Sequence, residues 1–256
     1  MPQIDVLQIP VLSDNYVYLV RDEETGTTGV VDPAVGGPVV EALEARGWTL
    51  DWVINTHHHP DHTGANMELK EKYGCRIVGP KMEQAKIPGI DQAAGDGDTF
   101  ELGGSTAKVF DVPGHTAGHN AYWFEDSDAL FCGDALFALG CGRVFEGTHE
   151  QMWTSLDKLR VLPDATKIYC AHEYTEANLA FALTVEPDNA DLAKRAEEIR
   201  NLRSEGKPTV PSIMAEELAT NPFVRADQSD LQAAIGMTGS DPVAVFAEVR
   251  TRKDNF

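Results

Sequence analysis

The stretch that most limits what this chain can become is "INTHHHPDHTGAN", residues 54–66, which sets four of the chain's eight histidines, with an aspartate among them, inside six positions. An apolar run, "DWVINT", leads into it, and "GANMELKEKYG", with helical spacing, follows it. Residues two apart in an extended segment share a face, so His57 and His59 point together while His58 points away and takes a structural duty. Pro60 cannot continue a β-ladder, so a turn is expected there, holding Asp61 and His62. Neutral imidazole nitrogen and carboxylate oxygen are the donors that borderline divalent cations accept. H-x-H-x-D-H at a strand end is therefore read as a metal-binding loop rather than a solvated one.

Four donors in one loop need completion from elsewhere. "DVPGHTAGHN" puts His115 in a glycine-flanked turn after a strand, "LFCGDALF" puts Asp134 just past another, and "KIYCAHEYT" puts His172 at the end of a third. Alone, each would be an ordinary cap. Together they share one placement, the C-terminal end of a buried strand, where α/β folds gather their sites. The full set is His57, His59, Asp61, His62, His115, Asp134 and His172. It is too large for one tetrahedral ion and suits two, if one carboxylate bridges. Two divalent metal ions per chain are expected. Zinc is the first expectation, although iron and manganese accept the same donors.

Two regimes divide the chain. Up to about residue 173, short β-branched and aromatic runs ("YVYLV", "TTGVVD", "RIVG", "AKVFDV", "NAYWFE", "ALFCGD", "KIYCAH") alternate with glycine-rich turns and the helical stretches "VVEALEARG", "GANMELKEKYG" and "HEQMWTSLDKLRVLP". Beyond that, strand signals vanish. "EANLAFALTVEP", "NADLAKRAEEIRNLRSEG", "SIMAEELATNP" and "DPVAVFAEVRTRK" read as helices, with Leu192, Ala196, Ile199 and Arg203 on one face of the second. The expected organisation is a mixed α/β domain, residues 1–173, followed by a small all-α domain, residues 174–256.

Composition narrows the function. With 41 acidic and 21 basic residues the net charge is −20, a field that repels nucleic acid. No run of 18 apolar residues occurs, so no membrane partner is expected, and the N-terminus has no basic region before an apolar stretch, so no signal peptide is expected. The four cysteines, Cys75, Cys132, Cys141 and Cys170, lack C-x-x-C spacing. They are read as reduced and structural, in a cytoplasmic protein.

These motifs resemble the metallo-β-lactamase superfamily. "THHHPDHTGAN", "VPGHTAGH", "FCGDALFALGCGRVFEGT", "CAHEYT", "NPFVR" and "RTRKDNF" are similar, more closely, to the glyoxalase II (hydroxyacylglutathione hydrolase) family over nearly the whole chain. The resemblance implies an αββα sandwich with a small C-terminal all-α domain. It places His57, His59 and His115 on a first metal, Asp61, His62 and His172 on a second, and Asp134 between them. It also implies that Arg143, Phe145, Tyr174, Arg250 and Lys253 bind glutathione. The family often has Lys where this chain has Arg143, and can have Tyr where it has Phe145. Arginine keeps the charge and can grip a carboxylate bidentately, whereas Phe145 forfeits a hydroxyl.

The implied reaction is hydrolysis of S-(2-hydroxyacyl)glutathione, such as S-lactoylglutathione, to glutathione and a 2-hydroxy acid, the second step of methylglyoxal detoxification. Metal-activated water attacks, and Asp61 and Asp134 are the catalytic carboxylates. The protein is read as a monomer with a small-molecule glutathione thioester as its partner. The alternatives are a glutathione persulfide dioxygenase with a single iron, or another metal-dependent hydrolase of the superfamily.

Overall fold

A computed structural model describes residues 3–256, which form two compact units: residues up to 111 with 116–133, and residues 112–115 with 134–256.

The first unit is a two-sheet sandwich. One sheet runs β1 (Ile4–Val11), β2 (Asn15–Asp22), β3 (Thr28–Val31), β4 (Trp52–Ile54), β5 (Arg76–Pro80) and β6 (Gln92–Ala94) in sequential order. β1 to β3 pair antiparallel and β3 to β6 parallel. The second sheet comprises the antiparallel strands β7 (Thr99–Leu102), β8 (Ser105–Asp111), β9 (Asn120–Phe124) and β10 (Ala129–Gly133).

Alternation along β2 shows how the layers are built. Tyr18 turns to the other sheet, its ring 5.6 Å from that of Phe131, while Trp52 meets Phe100 edge-on at 5.1 Å. Val17 and Leu19 face the opposite way. They pack with Val39 and Leu43 of α1 (Gly36–Arg46) and Leu69 of α3 (Asn66–Tyr73). β3 and the apolar middle of β4 and β5 are valine- and isoleucine-rich because both faces are covered.

Pro60 does not simply end the strand in a turn. It opens a short helix, α2 (Pro60–Thr63), as its first residue. There the missing N–H costs nothing and the fixed φ suits the helix. Asp61 and His62 therefore stand on a helical turn, and α3 starts anew at Asn66.

The second unit begins with a small hairpin, β11 (Leu136–Phe137) and β12 (Gly140–Cys141), followed by α4 (His149–Leu159). Thr148 and Gln151 form a capping box at the start of α4. Next come β13 (Lys167–Cys170), α5 (Thr175–Val185), α6 (Ala190–Ser204), β14 (Ser212–Ile213), α7 (Met214–Thr220), α8 (Ser229–Ala234) and α9 (Pro242–Asp254). The tail is thus helical except for β14, which pairs antiparallel with β13. Leu192, Ala196 and Ile199 of α6 pack with Leu139, Leu179 and Ala182. Arg203, further along the helix, pairs instead with Glu173 and Glu176.

Candidate functional site

In the first unit, β4 delivers Asn55 and Thr56 and then the donor segment. Asp32, at the end of β3, organises that segment. Its Oδ1 accepts from the Thr56 backbone N–H at 2.8 Å and its Oδ2 from the Thr56 hydroxyl at 2.6 Å. Oδ2 also accepts from His62 Nδ1 at 3.0 Å. Because the Thr56 proton is committed to Asp32, the Thr56 oxygen accepts from His57 Nδ1, 3.1 Å away. One buried carboxylate thereby sets both tautomers, with Nδ1 protonated and the lone pair on Nε2 of His57 and of His62.

The other donors of the segment are less buried but also have partners. His59 Nδ1 lies 3.0 Å from His57 Nε2, and Asp61 Oδ2 lies 3.5 Å from His62 Nε2 while accepting from Asn15 Nδ2 at 3.0 Å. His58 turns away to Glu83, whose carboxylate meets both its ring and its backbone N–H at 3.0 Å. His119 stacks on His57 with ring centres 4.6 Å apart.

The second unit gathers His115, Asp134 and His172. His115 Nδ1 lies 2.8 Å from the Arg143 carbonyl. A carbonyl can only accept, so the proton is on Nδ1 and the lone pair on Nε2. Asp134 then offers one oxygen to each side: Oδ2 is 3.3 Å from His115 Nε2 and Oδ1 is 3.4 Å from His172 Nε2. Gly142 permits this crowding, since a Cβ there would stand 2.0 Å from the Asp134 carbonyl oxygen.

The donor chemistry fits metal ions. Ligands about 2.1 Å from a tetrahedral divalent cation sit about 3.4 Å from one another, which matches both Asp134–histidine distances. The two tethered imidazoles of the first unit, like His115, present nitrogen lone pairs rather than protons. In each unit a histidine gives its second nitrogen to an oxygen acceptor, as metal-ligating histidines do.

The residues expected to bind substrate lie in the second unit. Phe145 packs beside His115 at 5.2 Å, and Tyr174 stacks on His172 at 4.7 Å with planes 3° apart. Arg143 is largely exposed and lies 3.9 Å from Asp254. Arg250 is only 3% exposed: it grips Asp254 at 2.8 Å and donates to the Cys141 carbonyl at 3.1 Å. Lys253 Nζ donates to the Ala177 carbonyl at 2.8 Å. Burial, then Arg250 and Arg143, bring the Lys253 ammonium down to about 8. The basic C-terminus is therefore folded into this unit as a cationic cluster in a chain of net charge −20.

All four cysteines are buried. Burial pushes the Cys141 thiol up to about 11 and that of Cys170 up to about 12, which suits structural thiols rather than nucleophiles.

Sequence reasoning passed over Asp32 and Asn15. The signal for Asp32 was present: an aspartate followed by proline at the end of an apolar strand, in the same position as Asp134 after its own strand.

Two family models match the chain. One describes the metallo-beta-lactamase superfamily, over residues 12–172, and the other the hydroxyacylglutathione hydrolase C-terminus, over residues 173–256. Similar curated proteins include the hydroxyacylglutathione hydrolase of Methylococcus capsulatus, 59% identical over 253 residues that cover 99% of each chain. That of Rhodospirillum rubrum is 53% identical over 256 residues, covering 100% of each. Among solved structures, ETHE1 from Myxococcus xanthus matches with a TM-score of 0.66 at 26% identity, covering 97% of this chain and 98% of that one. The BLEG-1 B3 metallo-beta-lactamase matches at 0.67 and 19% identity, covering 86% and 99%, a likeness of fold.

Proposed function

Since the chain belongs to the hydroxyacylglutathione hydrolases of the metallo-beta-lactamase superfamily, we propose that its two donor sets jointly hold two divalent cations. His57, His59 and His115 would serve one, Asp61, His62 and His172 the other, and Asp134 both. The fold is accordingly the αββα sandwich with a helical C-terminal region, and the activity is hydrolysis of the hydroxyacylglutathione thioester. Relatives of that name at 48–59% identity favour it over the iron-dependent dioxygenase reading. We take the substrate to be S-lactoylglutathione, cleaved to glutathione and lactate as the second step of methylglyoxal detoxification. The cations are taken to be zinc before iron or manganese.

The observation that carries the metal pair is Asp134, with its two oxygens turned to two different imidazoles. When bound, such cations supply water with a pKa near ~7 and a Lewis acid for the thioester carbonyl. The chain's own groups do the rest. Asp32, Thr56 and the Arg143 carbonyl fix the imidazole tautomers, and Asn15 holds Asp61. Glutathione departs as a thiolate whose conjugate acid has a pKa of about 8.5, so no strong general acid is required.

Arg143, Arg250 and Lys253 supply the local positive charge that an anionic substrate needs, with Phe145 and Tyr174 flanking it. Residues 1–173 would then carry catalysis and residues 174–256 substrate binding, a division supported by the junction of the two family models. No described helix is long and apolar enough to cross a membrane. We place the protein in the cytoplasm, a reading supported by its buried thiols, and take it to act as a monomer.

The test is metal analysis of the purified protein with S-lactoylglutathione turnover, in wild type and Asp134→Ala. Two ions per chain and a turnover loss in the variant of more than ~100-fold are expected, beyond what altering an outer-shell partner does. Full turnover by the variant with both ions bound would remove Asp134 from the bridging role.

A further inference from the structure

The segment carrying Asp134 and Arg143 is a hairpin with these two residues at its feet. β11 pairs with β12 through Leu136↔Cys141 and Phe137↔Gly140, and Gly142 N–H reaches the Ala135 carbonyl. The tip is Ala138–Leu139, and Leu139 sits at φ +58°, a left-handed conformation that costs a leucine free energy.

The helical tail of the same unit supplies a set of side-chain hydrogen bonds to that tip. Leu139 N–H donates to Glu217 Oε2 at 2.9 Å. Asn221 Nδ2 donates to the carbonyls of Phe137 and Gly140 at 3.2 and 3.0 Å, and to Glu217 Oε2 at 2.9 Å. Asn178 Nδ2, from α5, donates to the Ala138 carbonyl at 3.1 Å. Glu217 itself is completely buried and is paired with Arg195 of α6. A buried, hydrogen-bonded polar network of this kind rigidifies the backbone it grips.

We infer that Glu217, supported by Asn221 and Asn178, is a positioning residue for hydrolysis. It holds the tip of the 134–143 hairpin, and through it the Asp134 carboxylate and the Arg143 carbonyl that tethers His115. The helical tail on this view does more than receive the substrate: it sets the geometry of the donor group at the hairpin's foot. The inference rests on the assignment of Asp134 as a metal ligand.

The experiment compares wild type with Glu217→Ala, Glu217→Gln and Asn178→Ala. It measures zinc affinity of the metal-free proteins by chelator competition, then kcat and KM of the reloaded enzymes below their melting temperatures. Glu217→Ala is expected to lose about 10–100-fold in zinc affinity and in kcat, the range for partners that orient metal ligands, with KM little changed. Glu217→Gln, whose amide oxygen can still accept from Leu139 N–H, is expected to recover a substantial part of that loss. Asn178→Ala should show a smaller loss of the same kind, and it decides the matter if the Glu217 variants do not fold. Wild-type zinc affinity and kcat in folded Glu217→Ala, or in Asn178→Ala where that stands alone, would overturn the inference. So would a change confined to KM. If wild type itself bound no pair of ions, the metal assignment would fall first.

Discussion

The residue 57–62 segment and the 134–143 hairpin both present donor groups, but they are built by different means. In the first, four donors lie within six residues at the end of a strand buried in its sandwich. Two side chains from the same sheet, Asp32 just past β3 and Asn15 on β2, orient them. In the second, a single carboxylate sits at the foot of a two-strand hairpin, braced from Glu217, Asn221 and Asn178, far away in sequence. Its histidine partner is tethered by a main-chain carbonyl rather than a carboxylate. The first donor set is made largely by local sequence on a rigid sheet. The second depends on packing completed only when the C-terminal helices have folded.

The contrast can be broken at Asp32. Asp32→Ala removes the acceptor for His62 and for both Thr56 donors. A loss of about 10–100-fold in metal affinity is expected, with ions depleted before any change in the second unit's fold. The measurement is titration of the metal-free variant alongside near-ultraviolet circular dichroism. Unaltered affinity would mean that the segment holds its shape without its strand-borne partner.

A second probe asks whether the first unit's sandwich supports its donors. Asp22, buried, accepts from Ser105 Oγ at 2.6 Å and from Thr25 N–H and Oγ at 2.7 and 2.6 Å, linking the two sheets. Burial raises its carboxyl, but these hydrogen bonds outweigh that and bring it to about 2. A depressed carboxyl stabilises the fold at pH above its unfolded value of about 3.9, and that contribution is lost as pH falls towards about 2. Asp22→Asn should therefore cost about 2 kcal/mol at pH 7 and flatten the acid slope between those limits. Urea unfolding at several pH values reads both effects.

The smallest effect is expected in the second unit. Lys253, brought down to about 8 by burial, Arg250 and Arg143, discharges at a pH where an ordinary lysine stays charged. Its depressed value means that it opposes folding at neutral pH, and that the opposition fades as pH rises from about 8 to about 10.5. KM for the anionic substrate should rise a few-fold, about 1 kcal/mol or less, between pH 7 and 9 in wild type. In Lys253→Met it should be higher and flat. Parallel pH profiles would take Lys253 out of substrate binding.

The same contrast explains what could be read from the chain alone. The 57–62 segment was legible because its donors are adjacent and its strand and helix signals flank it. His115, Asp134 and His172 were legible by their common position after apolar runs. Pro60 misled because a proline that breaks a ladder is also a good first residue of a helix. β1 was missed because "IDVLQIPV" contains Pro10, which an edge strand such as β1 tolerates. Glu217 and Asn221 lay in "SIMAEELATNP", where an acid in an amphipathic helix looks solvent-facing. Its partner Leu139 stands 78 residues away, beyond any local pattern.

Position 143 leaves a consequence of its own. Its main chain serves His115 while its guanidinium faces outward, so if that guanidinium binds substrate as proposed, one residue would carry two tasks on chemically independent atoms. On that proposal, evolution or an engineer could exchange the side chain to retune which acyl carrier is accepted without loosening the imidazole behind it. A change that bends the backbone there would alter both at once.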